Sequence, residues 1–158
     1  MNDTMYSQET LQRLAAGLLS GRTVAQAAGI SQKTLEGLYA LAHGLYSSGN
    51  YADAQVMFQA LSIYAPNEYR FWMGLAGCRQ ALEQYQAAVE AYQMAAVAAE
   101  LKNPEPLLFA VHCLIKLGHK DEAVVGIETL LHMGSDDDPR NKAVHDRARA
   151  LLQLIQKA

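Results

Sequence analysis

A 34-residue offset runs through the middle of this 158-residue chain and constrains its fold more than any other feature. Shifted by 34, Leu38 falls on Trp72, Leu41 on Leu75, Ala42 on Ala76, Tyr51 on Tyr85, Ala54 on Ala88 and Phe58 on Tyr92. Six matches of residue type at one offset indicate repeated units, each too small to bury its apolar face alone. A third copy arrives one residue late: Ala88 maps to Ala123, with Leu107, Ala110, Gly118 and Ile127 in the matching slots. The added residue fits the loop around Lys102, Asn103 and Pro104, where lengthening a connection costs little.

A helix–turn–helix period of this length, with Trp/Leu, Leu, small, Gly, Tyr, Ala and Phe/Tyr in successive slots, resembles the tetratricopeptide repeat. Each slot has a physical reason. Ala42, Ala54, Ala76 and Ala88 stand where the two helices of a repeat cross, so the backbones can approach closely. Gly49 and Gly118 end first helices with a residue that reaches positive φ at no steric cost. Tyr51, Tyr85, Phe58 and Tyr92 fill the space between neighbouring repeats. Pro66 and Pro104 are expected to terminate second helices. The expected fold is an all-α tetratricopeptide-repeat solenoid of three repeats, at 35–68, 69–103 and 104–134, between two helical caps. Residues 1–34 form the N-terminal cap or a dimerisation region, and 135–158 the closing helix.

In the closing segment, Asp138 is placed to cap a helix that has Pro139 at its first position. Ala143, Val144, Ala148, Leu151, Leu152 and Ile155 then make an apolar stripe, with a polar outer face expected opposite. The aspartates 136–138 read as a solvated cap, because no further ligands stand at EF-hand spacing. Near the other end, "TVAQAAGISQKTLEGLY" (23–39) has the spacing of a DNA-reading helix-turn-helix. Charge speaks against that use. The chain is at −3, and residues 35–134 carry five Lys/Arg against ten Asp/Glu, a balance of −5. DNA readers neutralise phosphates with Lys and Arg. Leu35, Leu38 and Leu41 are also expected to be the buried face of the first repeat, out of reach of a groove. Ahead of them, Leu11, Leu14, Leu18 and Leu19 form an amphipathic stripe that can cap the solenoid or pair with a second copy; a homodimer is the expectation.

Catalytic patterns are missing. His43, His112, His119, His132 and His145 make no HExxH or HxxxH pair, and Cys78 and Cys113 stand far apart without a metal-ligand spacing. No GxGxxG, P-loop or GxSxG occurs, so the expectation is a protein that is not an enzyme and uses no metal or cofactor. No apolar run approaches the roughly 20 residues of a membrane span, and the first residues lack a secretory signal pattern. Two unpaired thiols suit a reducing cytosol.

Binding is then the expected work, and in stacked hairpins the first helices line the inner wall. Counting from the Leu38/Trp72/Leu107 slot, the wall positions are Glu36, Tyr39, His43 and Tyr46 in the first repeat. In the second they are Arg70, Met73, Gly77 and Gln80, and in the third Glu105, Leu108, His112 and Ile115. Tyr39 and Tyr46 with Gly77 between them suggest pockets for apolar side chains of an extended segment, tyrosine being a frequent interface anchor. The alternative is that both tyrosines are simply core. Modules that hold a chaperone's C-terminal carboxylates need Lys and Asn where Tyr39 and His43 stand, so that partner class is disfavoured.

The runs "LEGLYALAHGLYSSGNYADAQVMFQAL" (35–61) and "YRFWMGLAGCRQALEQYQAAVEAYQMAAVAA" (69–99) resemble the class II chaperones of bacterial type III secretion, of the LcrH/SycD type. The resemblance implies a bacterial cytoplasmic chaperone that keeps hydrophobic, pore-forming translocator proteins soluble until secretion. It also implies a concave groove for a short extended client motif, pairing through N-terminal helices, and Tyr39 and Tyr46 as aromatic groove residues. His43 stands where relatives often carry Phe. A general tetratricopeptide adaptor, joining folded proteins through its outer face and possessing a regulatory role, is the alternative.

Overall fold

The computed structural model describes residues 8–158, excepting the side chains of Leu11 and Leu14. Among the described residues every regular element is a helix: α1 (Gln8–Leu19), α2 (Val24–Ala28), α3 (Gln32–Ser47), α4 (Tyr51–Tyr64), α5 (Tyr69–Ala81), α6 (Tyr85–Ala98), α7 (Glu105–Lys116), α8 (Lys120–Leu130) and α9 (Pro139–Lys157). From α3 to α9 each helix packs chiefly on its neighbours in sequence, the quasi-one-dimensional contact pattern of a solenoid.

Small residues set the spacing. Ala42, Ala54, Ala76 and Ala88 are fully buried at the crossings. Gly74 approaches α4 so closely that a Cβ there would lie 2.3 Å from the Phe58 ring. Around these crossings pack Phe58, Leu61, Phe71, Leu75, Val111, Ile127 and Leu130. Cys78 and Cys113 lie in the same core as free thiols, and burial pushes the Cys78 thiol up to about 11. The first-helix turns use the left-handed region: Gly49 has φ 81°, Gly118 φ 78°, and the corresponding slot of the middle repeat is Glu83 at φ 59°.

The structure corrects the expectation for Pro104. Helix α6 stops at Ala98, and Glu100 (φ 54°) and Leu101 (φ 57°) turn the chain before Pro104 caps the start of α7. Pro66 lies just past α4, and its carbonyl accepts the Trp72 indole N–H at 2.7 Å.

A second correction concerns α3. Leu35 is buried, but Leu38 is 38 % and Leu41 57 % exposed. Their counterparts are better covered: Leu75 and Ala110 are buried and Trp72 and Leu107 partly buried, on helices that pack against the second helix of the preceding repeat. The helix immediately before α3 is α2, which is five residues long and touches α4. The turn between α2 and α3 does have helix-turn-helix form: Thr23 and Gln26 make a capping box, Gly29 takes φ 75°, and Ser31 caps α3.

At the other end, the three aspartates face three different partners. Asp138 accepts the Arg140 backbone N–H at 2.9 Å, Asp137 accepts the Ser135 hydroxyl at 2.9 Å, and Asp136 lies 2.5 Å from the buried His145 Nδ1. The His145 Nε2 stands 3.1 and 3.0 Å from the carbonyls of Leu130 and Met133, tying α9 to the end of α8. No His/Cys/Asp/Glu group among the described residues could hold a metal ion.

Candidate functional site

Helices α3 and α5 run side by side and leave a hollow of about 340 Å³ between them. It is lined by Tyr39, His43 and Tyr46 from α3, by Tyr69, Arg70, Met73, Gly74 and Gly77 from α5, and by the Phe58 ring at its base. Six of the expected wall residues meet here. The two glycines act differently: Gly74 lets Phe58 reach the floor, whereas a Cβ on Gly77 would make ordinary contact with Tyr46, 3.4 Å away, at the open side.

Both tyrosines are half-buried, so each serves core and hollow at once. The Tyr39 ring lies 6.1 Å from Phe58 and 5.7 Å from Phe71, and the Arg70 guanidinium sits 4.7 Å above its centroid. Tyr46 packs edge-on against Tyr51 at 5.2 Å, and burial raises its hydroxyl above the ordinary tyrosine value. Arg70 is held at the rim by Glu36, whose carboxylate lies 2.6 Å away, and by Glu68 at 3.4 Å. The Arg70 hydrogen bond keeps the Glu36 carboxyl below the usual carboxylate range. The rim is therefore a positioned cation already matched in charge, around an apolar floor.

The remaining wall residues lie elsewhere. Gln80 accepts the Tyr92 hydroxyl at 2.6 Å, and Tyr92 stacks on Phe109 at 5.4 Å, closing the stretch between α5 and α7. Leu108, 6 % exposed, is floor rather than open wall, because α9 lies across this end of α7. His112 borders a separate hollow between α7 and α9, and burial pushes its imidazole below the ordinary value. Ile115 is exposed beyond both hollows. The repeat spacing assigns no α9 residue to the wall, although Leu154 breaks the polar outer face expected there.

Of the stripe expected to dimerise, Leu18 and Leu19 are exposed, Leu19 by 89 %. The Leu11 and Leu14 side chains lie outside the described residues. A further apolar hollow of about 390 Å³ opens on the side of the second helices, over Leu107, Val111 and Leu114 between α6 and α8, with Asp121 and Glu122 at its edge. No helix among the described residues is long and apolar enough to cross a membrane.

The tetratricopeptide repeat family model matches residues 35–68 and 71–100. Low calcium response locus protein H of Yersinia pseudotuberculosis is 35% identical over 154 residues, 98% of this chain and 90% of that protein. Among solved structures, a type III secretion complex from Aeromonas hydrophila matches with a TM-score of 0.80 at 32% identity, covering 90% of this chain and 94% of that one. The Yersinia enterocolitica type III secretion chaperone SycD, in complex with a peptide of the translocator YopD, matches with a TM-score of 0.71 at 37% identity, covering 80% and 95%.

Proposed function

Because this chain belongs to the translocator chaperones of type III secretion, we propose that it holds a hydrophobic translocator through the hollow between α3 and α5. A pore-forming client exposes apolar surface that aggregates in water, so its holder needs an apolar groove on an acidic, well-hydrated body. The observation that carries this reading is the open floor beside half-buried Tyr39, Tyr46 and Met73, with Arg70 pinned above it by Glu36. An extended client segment would seat one or more apolar side chains there without sheet addition, since the groove offers no strand edge. The chain would work in the bacterial cytosol as a binder and not as a catalyst. Release would be driven from outside, and moderate affinity spread over several pockets suits that. Residues 35–134 would supply the groove, with 1–34 available for pairing and 135–158 closing the solenoid.

The test is calorimetric titration with the YopD peptide that SycD binds, and co-expression with a translocator scored for solubility. Tyr46→Ala is expected to cost about 1–3 kcal/mol of peptide affinity. Tyr39→Ala is expected to weaken binding similarly, but also to lower melting, because its ring packs on Phe58 and Phe71. Unchanged affinity in both variants would refute the groove. The hollow over Leu107 and Val111 favours one other reading, an adaptor using the side of the second helices. Under that reading Val125→Asp, at its edge, would abolish client capture while both tyrosine variants remained silent.

A further inference from the structure

We infer that α9 is a working wall of the groove, forming with α7 a second client subsite that takes an apolar side chain. The inference rests on the groove reading above and extends it.

The capping helix of a solenoid is expected to turn a polar face outward. Helix α9 does not. Its first turns are anchored by Val144, His145 and Ala148, all buried. Beyond them, Arg147, Ala150, Leu151 and Leu154 recur at i, i+3, i+4 and i+7, and all four border one hollow of about 370 Å³. Across that hollow stand Glu105, Leu108, Phe109 and His112 of α7. Leu154 is 65 % exposed there, a leucine that packing within the chain leaves uncovered.

Register ties this hollow to the first one. Leu108 and His112 occupy the slots that Met73 and Gly77 occupy one repeat earlier, and those two line the hollow between α3 and α5. Helix α9 thus stands to α7 as α5 stands to α3, as the first helix of a fourth unit. The two hollows are similar in volume and lie two helix spacings apart along one wall. At 8–10 Å per spacing that is about 20 Å, which an extended chain covers in about six residues. The occupant is therefore the same client, continuing past the segment in the first hollow. Charge does not set the two rims apart. Arg70 at the first is matched by Glu36 and Glu68, and on α9 Arg149 is matched by Asp146 and Asp136. Arg147 makes no ion pair among the described residues, but Glu105 of α7 lines the same hollow, so the second subsite carries one charge of each sign and holds its occupant through the apolar anchor. The tie from His145 to Asp136 and to the Leu130 and Met133 carbonyls holds α9 in place before the client arrives.

The test uses the full chain and a fluorescent YopD peptide extended at both ends by about ten native residues, enough to span both hollows. Leu154→Asp lies at an exposed position, and unchanged far-UV dichroism checks its fold. It is expected to weaken binding of the extended peptide at least fivefold. Equal affinity of wild type and Leu154→Asp, with Tyr46→Ala still weakened, would overturn the second subsite and leave the first standing. Loss in Leu154→Asp with Tyr46→Ala unaffected would uphold the second subsite and overturn the first. Failure of the wild type to bind the peptide, or no effect from either variant, would overturn both.

Discussion

Position 83 carries a glutamate where the repeats on either side place Gly49 and Gly118, and all three residues adopt positive φ. A side chain with a Cβ is strained in that region by about 1–2 kcal/mol. Glu83→Gly is therefore expected to raise stability by about 1 kcal/mol in urea melts, even though Gly usually weakens a chain through its unfolded-state entropy. Two glycines of α5 separate packing from binding in the same way. Gly74→Ala pushes a Cβ to 2.3 Å from Phe58, a ring sealed in the core, and should cost about 1–3 kcal/mol of stability. Gly77→Ala meets only the Tyr46 ring at 3.4 Å and gains helix propensity, so melting should rise by up to about 1 kcal/mol. The same methyl narrows the hollow, so affinity for the YopD peptide should fall as stability increases. At this scale the repeat offset made much legible: it located the crossing alanines, the turn glycines and the aromatic wall from residue type alone. It could equally have pointed to Glu83, which the offset aligns with both glycines but whose residue type conceals the turn.

Burial was legible for helices flanked by neighbours of standard length, and illegible where one flank lacks such a neighbour. Leu38 and Leu41 fill slots that are covered in later repeats, yet they are exposed because α2 is too short to lie over α3, a tertiary fact no single slot encodes. Helix α9 was readable as a helix from Asp138 and Pro139, but its second face became visible only with α7 opposite it. What holds α9 there is testable by pH. Its His145 hydrogen bond keeps the Asp136 carboxyl below the usual range near 3.8, with Arg149 adding to the effect. A carboxyl depressed on folding stabilises the chain above its unfolded value, and the contribution is lost as pH falls through the lower, folded one. Wild-type melting temperature is expected to drop more steeply than that of Asp136→Asn between about pH 4 and pH 2, with the two profiles parallel from pH 5 to 7. Parallel profiles throughout would remove the tie as a source of stability.

As a whole, the molecule is finished at one end and unfinished at the other. After α8, α9 covers the last hairpin; before α3 the apolar strip of Leu38 and Leu41 is bare, and Leu18 and Leu19 of α1 are bare as well. Exposed leucines gathered at one end of a solenoid favour association, since each fully buried leucine contributes about 1.5–3 kcal/mol. An isologous pair, in which the same patch meets itself, closes the assembly at two copies, whereas a head-to-tail contact would grow without limit. The expected species in sedimentation velocity is thus a dimer whose fraction rises with concentration. Deleting residues 1–20 removes the Leu11, Leu14, Leu18 and Leu19 stripe, and Leu41→Asp places a charge in the α3 strip. A monomer after the deletion alone assigns the contact to α1, a monomer after Leu41→Asp alone assigns it to α3, and both results together make one continuous interface. A dimer that survives both changes would place self-association elsewhere on the surface. Because α3 also supplies Tyr39 and Tyr46 from its other side, a dimer built on Leu38 and Leu41 would brace the first hollow from behind. YopD-peptide affinity should then increase with chaperone concentration across the dimerisation range, and Leu41→Asp should abolish that dependence while leaving the monomer's affinity in place.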